Sequence, residues 1–129
     1  MPSIRVLLAD DHALFRRGVA SLLAAEGGFE VVGAAADGQQ ALEMARELLP
    51  DVILMDVSMP VMDGLEATRR IKAEMPCARI VILTVADGER SLFESIQCGA
   101  SGYLPKNVEP RVLCSTLRGV VQGEVPYRG

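Results

Sequence analysis

Residues 51–56 read Asp-Val-Ile-Leu-Met-Asp, a run of four apolar residues between two aspartates. Strands with one exposed face alternate apolar and polar residues, whereas strands buried on both faces carry apolar residues at successive positions. Four other short runs, rich in β-branched and apolar residues, lie at 4–9, 29–36, 79–84 and 101–104. Together these segments predict five strands, several of which are buried on both faces.

Segments with helical periodicity separate the five strands. In residues 15–23, 41–49 and 113–121 the apolar side chains recur at intervals of three and four, which is the pattern of an amphipathic helix. Residues 64–75 and 89–98 have helical length and stop before a proline and a glycine, respectively. Strands that alternate with helices pair in parallel through right-handed crossovers. The sequence therefore predicts an α/β, flavodoxin-like, doubly wound (βα)5 domain with a five-stranded parallel sheet in the order 2-1-3-4-5.

The composition fits one compact domain and excludes several classes of protein. The 129 residues are 50% hydrophobic and 23% charged, which argues against intrinsic disorder. A net charge of -4 argues against direct contact with nucleic acid, since a nucleic-acid-binding domain usually carries a basic face. No apolar run reaches the ~20 residues of a membrane-spanning helix, and the first run, at 6–9, is shorter than the ~7 to 15 residues of a signal-peptide core. Three cysteines without paired spacing predict reduced thiols, so we expect a cytoplasmic protein without membrane contact.

Four of the predicted strands end in, or are followed by, residues capable of chemistry: Asp10 and Asp11, Asp56, Thr84, and Lys106. Ligands of open α/β sheets bind at the carboxyl ends of the strands, so these side chains are expected at one edge. Three crowded carboxylates would repel one another unless a divalent cation offset their charge, and hard carboxylate oxygens favour Mg2+. The sequence therefore predicts a Mg2+ site at this edge.

Asp56 is the predicted nucleophile of this site, because it ends the central strand and Mg2+ normally takes only one or two protein carboxylates. Attack on phosphorus would yield an aspartyl phosphate without a general base, since an ionised carboxylate carries no proton to remove. Lys106, the Thr84 hydroxyl and the metal could each stabilise the equatorial oxygens. The added phosphoryl group brings roughly -1.5 to -2 charges, enough to draw Thr84 inward and reshape the neighbouring loop. This chemistry predicts a phosphorylation switch.

Four stretches of the chain form a family pattern: Leu-Leu-Ala-Asp-Asp-His at 7–12, Asp-Val-Ser-Met-Pro at 56–60 with Asp-Gly at 63–64, Ile-Leu-Thr at 82–84, and Gly-Ala-Ser-Gly-Tyr-Leu-Pro-Lys at 99–106. In order and spacing they resemble the receiver domain of bacterial two-component response regulators. The resemblance implies a receiver domain over residues 1–122 and the start of a linker at 123–129. It also implies a signalling phosphoacceptor that promotes its own phosphoryl transfer, rather than an enzyme.

The resemblance implies a role for each residue of the acidic edge. Asp56 is the phosphoacceptor of a sensor histidine kinase, and Thr84 and Lys106 contact the phosphoryl group. Thr84 and Tyr103 are the switch residues that respond to phosphorylation. Mg2+ is held by four groups, the carboxylates of Asp10, Asp11 and Asp56 and the carbonyl of Ser58.

Residues 10–18, Asp-Asp-His-Ala-Leu-Phe-Arg-Arg-Gly, are particularly similar to the NarL/FixJ subfamily, in which a receiver precedes a LuxR-type helix-turn-helix domain. This similarity implies a C-terminal output domain, outside these 129 residues, that binds DNA and regulates transcription. Phosphorylation is expected to reshape the last two helix-strand units and to promote a homodimer. The alternative within the family is a stand-alone receiver that acts through protein-protein contacts.

Four further positions bear on how the predicted site would work. Pro105 precedes Lys106 where the family more often has a non-proline apolar residue, and its fixed φ bears on how Lys106 is aimed. Ser58 and Ala86 occupy positions that influence how quickly similar receivers lose the phosphoryl group to water. His12 could be a metal ligand or a phosphoryl carrier, but a lone histidine after two aspartates is more often a solvated residue in the first turn of a helix.

Two other function classes fit parts of the pattern. A Mg2+-dependent phosphohydrolase also uses an aspartyl nucleophile, but it needs a second acid/base carboxylate, and Ser58 is a poor candidate for that work. A flavodoxin-like mononucleotide binder would need a Gly-rich phosphate loop after the first strand, where this chain has Asp10 and Asp11 instead. Individual residues also have ordinary roles, since an aspartate at a strand end is often a cap and Tyr103 is as easily a half-buried strand aromatic.

Overall fold

The computed structural model describes residues 3–85 and 89–123, and the side chains of 89–91 lie outside this description. Within these residues five strands alternate with five helices, as the sequence predicts. The strands are β1 (Ile4–Ala9), β2 (Phe29–Ala35), β3 (Val52–Asp56), β4 (Ile80–Thr84) and β5 (Gly102–Pro105). The helices are α1 (Ala13–Glu26), α2 (Gly38–Leu48), α3 (Gly64–Glu74), α4 (Glu89–Gln97) and α5 (Pro110–Val121).

All five strands lie in one parallel sheet with the order β2-β1-β3-β4-β5, which confirms the predicted topology. The central strand, β3, is buried along its whole length, as its unbroken apolar run indicates. In the register, Asp56 pairs with Leu83 and Thr84 pairs with Pro105. The carboxyl ends of β3, β4 and β5 therefore lie side by side, next to the end of β1.

β1 has its predicted bounds, and each of the other four strands differs from its predicted bounds by one residue at one or both ends. β2 ends at Ala35 because the N–H of Ala36 donates to Gln40 Oε1 (2.9 Å) instead of to the sheet. β3 and β4 each begin one residue later than predicted. β5 covers 102–105 and includes Pro105, which is tolerated because β5 is an edge strand.

The sheet separates two apolar clusters, and alternate residues of β1 enter them. Val6 and Leu8 pack with side chains from α1 and α5, whereas Leu7 and Ala9 pack with side chains from α2 and α3. Burial of a Val, Leu or Ile side chain contributes about 1.5–3 kcal/mol relative to exposure, so these two clusters are the main source of stability. Because the helices cover the two faces of the sheet, its carboxyl edge stays accessible.

Within residues 3–85 and 89–123, no helix combines the length and the apolar composition that a membrane span requires. The described chain ends at Gly123, two residues after α5. The predicted linker at 123–129 therefore lies outside the described residues except for Gly123.

Candidate functional site

Three aspartates meet at the carboxyl edge of the sheet. Asp10 follows β1 and Asp56 ends β3, and only 3% and 4% of their surfaces are exposed. Asp11 lies beside them and is exposed. One possible ligand atom from each of these aspartates and from His12 lies within 4.8 Å of the others. The structure thus brings together the three carboxylates that the sequence analysis singles out.

Lys106 reaches the same edge from the end of β5. Its Nζ lies 2.6 Å from Asp10 Oδ2 and 3.4 Å from Asp56 Oδ2, and 12% of its side chain is exposed. Pro105, which has no N–H, pairs with Thr84 in the register, and the N–H of Lys106 donates to the Thr84 carbonyl (3.0 Å). Pro105 therefore ends the strand without turning Lys106 away from the carboxylates.

Burial and like charge act against ionisation of Asp56. Removal from water raises the pKa of its carboxyl group and the neighbouring Asp10 raises it further, and these effects outweigh the lowering by Lys106. Burial lowers the pKa of Lys106, but its contacts with Asp10 and Asp56 outweigh burial, so the pKa of the ammonium is raised. Lys106 is therefore a permanent positive charge that compensates the carboxylates only in part.

Asp10 Oδ2 is buried and, among the described residues, has no hydrogen-bond partner. Its ionic partner is the ammonium of Lys106, 2.6 Å away. The other oxygen, Oδ1, accepts a hydrogen bond from the backbone N–H of His12 (2.8 Å). One ammonium compensates this buried carboxylate only in part, and a hard cation would satisfy both its charge and its lone pairs.

Two open clefts lie at the carboxyl edge, one at Asp11 and one at Lys106. One has a volume of about 500 Å³ and is lined by Asp11 and by the loop after β3, which includes Ser58. The other has a volume of about 400 Å³ and is lined by Thr84, Lys106 and their neighbours. Ser58 is exposed, whereas Thr84 is 3% exposed. The predicted site residues Ser58 and Thr84 thus lie in different clefts.

A close backbone contact holds the loop between β3 and α3 against Asp56. The N–H of Gly64 donates to the Val57 carbonyl (2.8 Å), and a Cβ at Gly64 would lie 1.8 Å from the Asp56 carbonyl oxygen. Asp63 caps α3 by accepting a backbone hydrogen bond from its first turn (2.8 Å). Because a Cβ would collide with the Asp56 carbonyl oxygen, glycine is required at position 64, where the loop meets Asp56. In the same loop, Val61 has a φ of 70°, which is unfavourable for a β-branched residue.

Tyr103 and Thr84 lie on the same face of the sheet. Tyr103 pairs with Ile82 in the register, and residues two positions apart on a strand share a face, so Ile82 and Thr84 point the same way. Tyr103 is half-buried against the apolar cluster on the side of α2 and α3. The two predicted switch residues are thus close in register and share one face.

Two residues of α1 belong to the site although the sequence analysis does not single them out. The ring of Phe15 faces the Lys106 ammonium, with 4.6 Å between Nζ and the ring centroid. The guanidinium of Arg16 donates to the Asp10 carbonyl (2.5 Å). In the sequence, Phe15 is only the first residue of an apolar stripe and Arg16 is an ordinary cation. The one feature of the sequence that could have indicated their place in the site is their position, about one helical turn after the two aspartates.

His12 lies immediately before α1, at its N-cap, with 71% of its side chain exposed. It is solvated, as expected, but it precedes the first helical turn instead of belonging to it. Its Nδ1 lies 3.2 Å from a carboxylate oxygen of Asp10 and of Asp11. Ala86, named with Ser58 as a position that influences phosphoryl lifetime, lies outside the described residues.

The family model of the response regulator receiver domain matches residues 6–118. The chain belongs to this family. The receiver is 43% identical over 125 residues to the uncharacterized transcriptional regulatory protein YxjL of Bacillus subtilis, a match that covers 97% of this chain and 57% of that protein. It is 42% identical over 119 residues to the nitrate/nitrite response regulator protein NarP of Escherichia coli, with 92% of this chain and 55% of that protein covered.

Solved structures give the same assignment. The receiver domain of the response regulator NarL from Mycobacterium tuberculosis superimposes with a TM-score of 0.92 at 33% identity, covering 96% of this chain and 100% of that one. A LuxR-family response regulator from Aurantimonas sp. gives a TM-score of 0.91 at 35% identity, covering 95% of this chain and 88% of that one. The receiver is therefore a signalling domain of the NarL/LuxR type. It spans little more than half the length of the curated relatives that it matches.

Proposed function

We propose that this receiver accepts a phosphoryl group on Asp56 from a sensor histidine kinase, in a reaction that depends on Mg2+. The observation that carries the proposal is the pair of buried carboxylates, Asp10 and Asp56, beside the Lys106 ammonium in a member of this signalling family. Phosphorylation would switch a C-terminal LuxR-type helix-turn-helix domain and so regulate transcription. Relatives that are named transcriptional regulatory proteins support this last step, although the receiver matches only part of each.

The residues of the site fit a magnesium ion. Its ligands would be oxygens from the carboxylates of Asp10, Asp11 and Asp56 and from the carbonyl of Ser58. Three observations support the fit: the oxygen-rich donor set, the buried Asp10 Oδ2 that one ammonium compensates only in part, and the raised pKa of Asp56, which a cation would lower. When bound, Mg2+ neutralises charge on the phosphoryl oxygens.

Asp56 is the proposed nucleophile. One of its carboxylate oxygens bonds to phosphorus while the phosphorus-nitrogen bond of the donor's phosphohistidine breaks and leaves its electron pair on the imidazole. The Lys106 ammonium is the first proposed contact of the transferred oxygens, and its distance of 3.4 Å from Asp56 Oδ2 supports this role. The Thr84 hydroxyl, at the end of the neighbouring strand, is the second proposed contact.

Thr84 and Tyr103 are the residues through which phosphorylation is proposed to change the surface of the domain. The new negative charge attracts the Thr84 hydroxyl, and its movement alters packing on the face that it shares with Tyr103. This change reshapes the surface of α4 and β5 and promotes a homodimer. On α4, Phe93 and Ile96 are 59% and 46% exposed, so apolar groups are available there for a second copy.

Intact-mass measurement tests the proposed chemistry directly. Wild-type protein is incubated with Mg2+ and acetyl phosphate and compared with Asp56→Asn and with a sample without Mg2+. We expect a gain of about one phosphoryl mass in wild type with Mg2+ and none in the other two. Asp37→Asn is the matched control, because Asp37 is the N-cap of α2, belongs neither to the carboxylate cluster nor to the lining of the two clefts, and asparagine caps equally well.

The outcomes separate the candidate functions. Labelling of Asp56→Asn, or no labelling of wild type with Mg2+, overturns the proposal. Rapid turnover of many equivalents of acetyl phosphate would instead support the phosphohydrolase, since a receiver is labelled once and loses the group slowly.

A further inference from the structure

None of the roles proposed for Asp56, Lys106, Thr84 and Tyr103 involves the contact between Phe15 and Lys106. Phe15 lies in the first turn of α1 and packs against the apolar cluster beneath that helix. The Lys106 ammonium lies 4.6 Å from the centroid of its ring, within the range of a cation–π contact. The Phe15 side chain thus contacts both the hydrophobic core and the Lys106 ammonium beside Asp56.

Burial makes this contact stronger than an exposed one of the same kind. With 12% of its side chain exposed, Lys106 has exchanged most of its water for Asp10, Asp56 and the ring of Phe15. A cation–π contact is electrostatic, so it gains strength when the cation is desolvated. The ring is therefore a substantial part of what holds the ammonium in place.

The ring differs from the carboxylates in one respect that matters for a metal-dependent reaction. A divalent cation at Asp10 and Asp56 would compete with Lys106 for the same oxygens and would repel the ammonium. The face of an apolar ring offers no oxygen ligand, so a hard cation does not compete for it. Of these three partners, Phe15 is thus the one that Lys106 would retain with a metal bound.

We propose that Phe15 is a positioning residue, whose ring keeps the Lys106 ammonium at the carboxyl edge beside Asp56 while the carboxylates bind Mg2+. The proposal rests on the function proposed above, since it assigns Lys106 to the phosphoryl oxygens. Phe15 touches neither Asp56 nor the phosphoryl group in this role. It affects the phosphorylation reaction only by positioning Lys106.

A double-mutant cycle tests this coupling. Initial rates of phosphorylation by acetyl phosphate with Mg2+ are measured for wild type, Phe15→Leu, Lys106→Met and the double variant. Leucine keeps an apolar side chain in the core but removes the ring. We expect Phe15→Leu to lower the rate about threefold to tenfold in the wild-type background and to change nothing further in Lys106→Met. Phe15→Tyr, which keeps an aromatic ring, should restore most of the rate.

Phe29 provides a matched control for loss of packing. It is an aromatic residue of the same apolar cluster, and its ring also contacts a cation, Arg118, at 5.0 Å. It begins β2, at the end of the sheet opposite to the site. Phe29→Leu should therefore lower stability without lowering the phosphorylation rate. An equal rate loss in Phe29→Leu, or an equal effect of Phe15→Leu with and without Lys106, overturns the proposal.

A second measurement does not depend on phosphorylation. Protons held over an aromatic ring resonate upfield, so the ε-methylene protons of Lys106 should be shifted upfield in the NMR spectrum of wild type, with and without Mg2+. The shift should vanish in Phe15→Leu and remain in Phe29→Leu. An unshifted Lys106 signal in wild type with Mg2+ overturns the positioning role even if the protein is labelled. Shifted signals in a protein that is never labelled would instead contradict the proposed function alone.

Discussion

Asp56 must be a carboxylate to attack phosphorus, yet its surroundings favour the neutral acid. It is 4% exposed, lies beside Asp10 and has the Lys106 ammonium 3.4 Å away as partial compensation. Groups adapted to a chemical task are often kept at a cost in stability. At the scale of the residue, that cost should be measurable in the protein without metal.

Replacement of Asp56 by asparagine is expected to raise the free energy of unfolding at neutral pH, without Mg2+, by about 1 kcal/mol. The pKa of Asp56 is raised in the folded state, so the folded protein binds this proton more tightly than the unfolded chain does. The stability that the group contributes is fully present below its ordinary pKa of 3.8 and is lost as the pH rises through the raised value. Urea unfolding of both proteins across this pH range measures the difference.

The advantage of Asp56→Asn should shrink toward acid pH, where the wild-type carboxyl group is also protonated. Asp37→Asn, which retains the N-cap of α2, should show no comparable gain in stability at neutral pH. Equal stability of wild type and Asp56→Asn at neutral pH would show that the buried carboxylate costs nothing.

At the scale of elements, periodicity is sufficient to locate the strands and helices, because each of them buries an apolar face. The unbroken apolar run at 52–55 identifies β3 as the central strand, and the structure buries it completely. The acidic edge also follows from the sequence, since parallel pairing brings the residues after β1 and at the end of β3 together. The strand ends shift by one residue where a side chain such as that of Gln40 takes a backbone N–H.

Other features of the site have no signal in the sequence. The helical periodicity correctly predicts that Phe15 faces the core. It indicates which face of the helix a residue occupies, but not which group lies over its ring. The positive φ of Val61 could not be predicted from the sequence either, since a β-branched residue is the least expected type in that conformation. Contacts between residues distant in the chain, such as Phe15 with Lys106, require the assembled sheet.

Alanine substitution at two glycines should have opposite effects on stability. Gly64→Ala would place a Cβ 1.8 Å from the Asp56 carbonyl oxygen, so β3 and α3 must separate, at a cost of about 2–4 kcal/mol. Gly18 lies within α1, and nothing lies within 4 Å of an added Cβ, so Gly18→Ala should stabilise the protein by about 0.5–1 kcal/mol. Urea unfolding measures both changes. A fully stable Gly64→Ala protein would contradict the close contact at Asp56.

At the scale of the whole molecule, the site is a property of the assembled sheet. Its residues follow or end β1, β3, β4 and β5, and at least one helix lies between each of these strands and the next in the chain. The carboxylates can converge only when the strands are paired in register. Binding of a metal ion to them is therefore coupled to folding of the domain.

Mg2+ should raise the melting temperature of the wild-type receiver. A ligand that binds only the folded state adds about 2.7 kcal/mol when its concentration is 100 times its dissociation constant. Asp10→Asn should lose most of this gain, because Asp10 supplies the buried oxygen without a hydrogen-bond partner. Asp37→Asn should keep it. Thermal unfolding with Mg2+, and with Na+ at equal ionic strength, separates specific binding from screening; equal shifts from both salts would contradict a metal site.

The two outer strands of the sheet have a consequence for behaviour at high concentration. β2 carries an irregularity in its register with β1, and β5 has four residues and ends in a proline without an N–H. Such edges are poor templates for another strand, so they oppose sheet-to-sheet growth into fibrils. Crowded copies of the domain should therefore meet through helices, and their association should remain reversible on dilution.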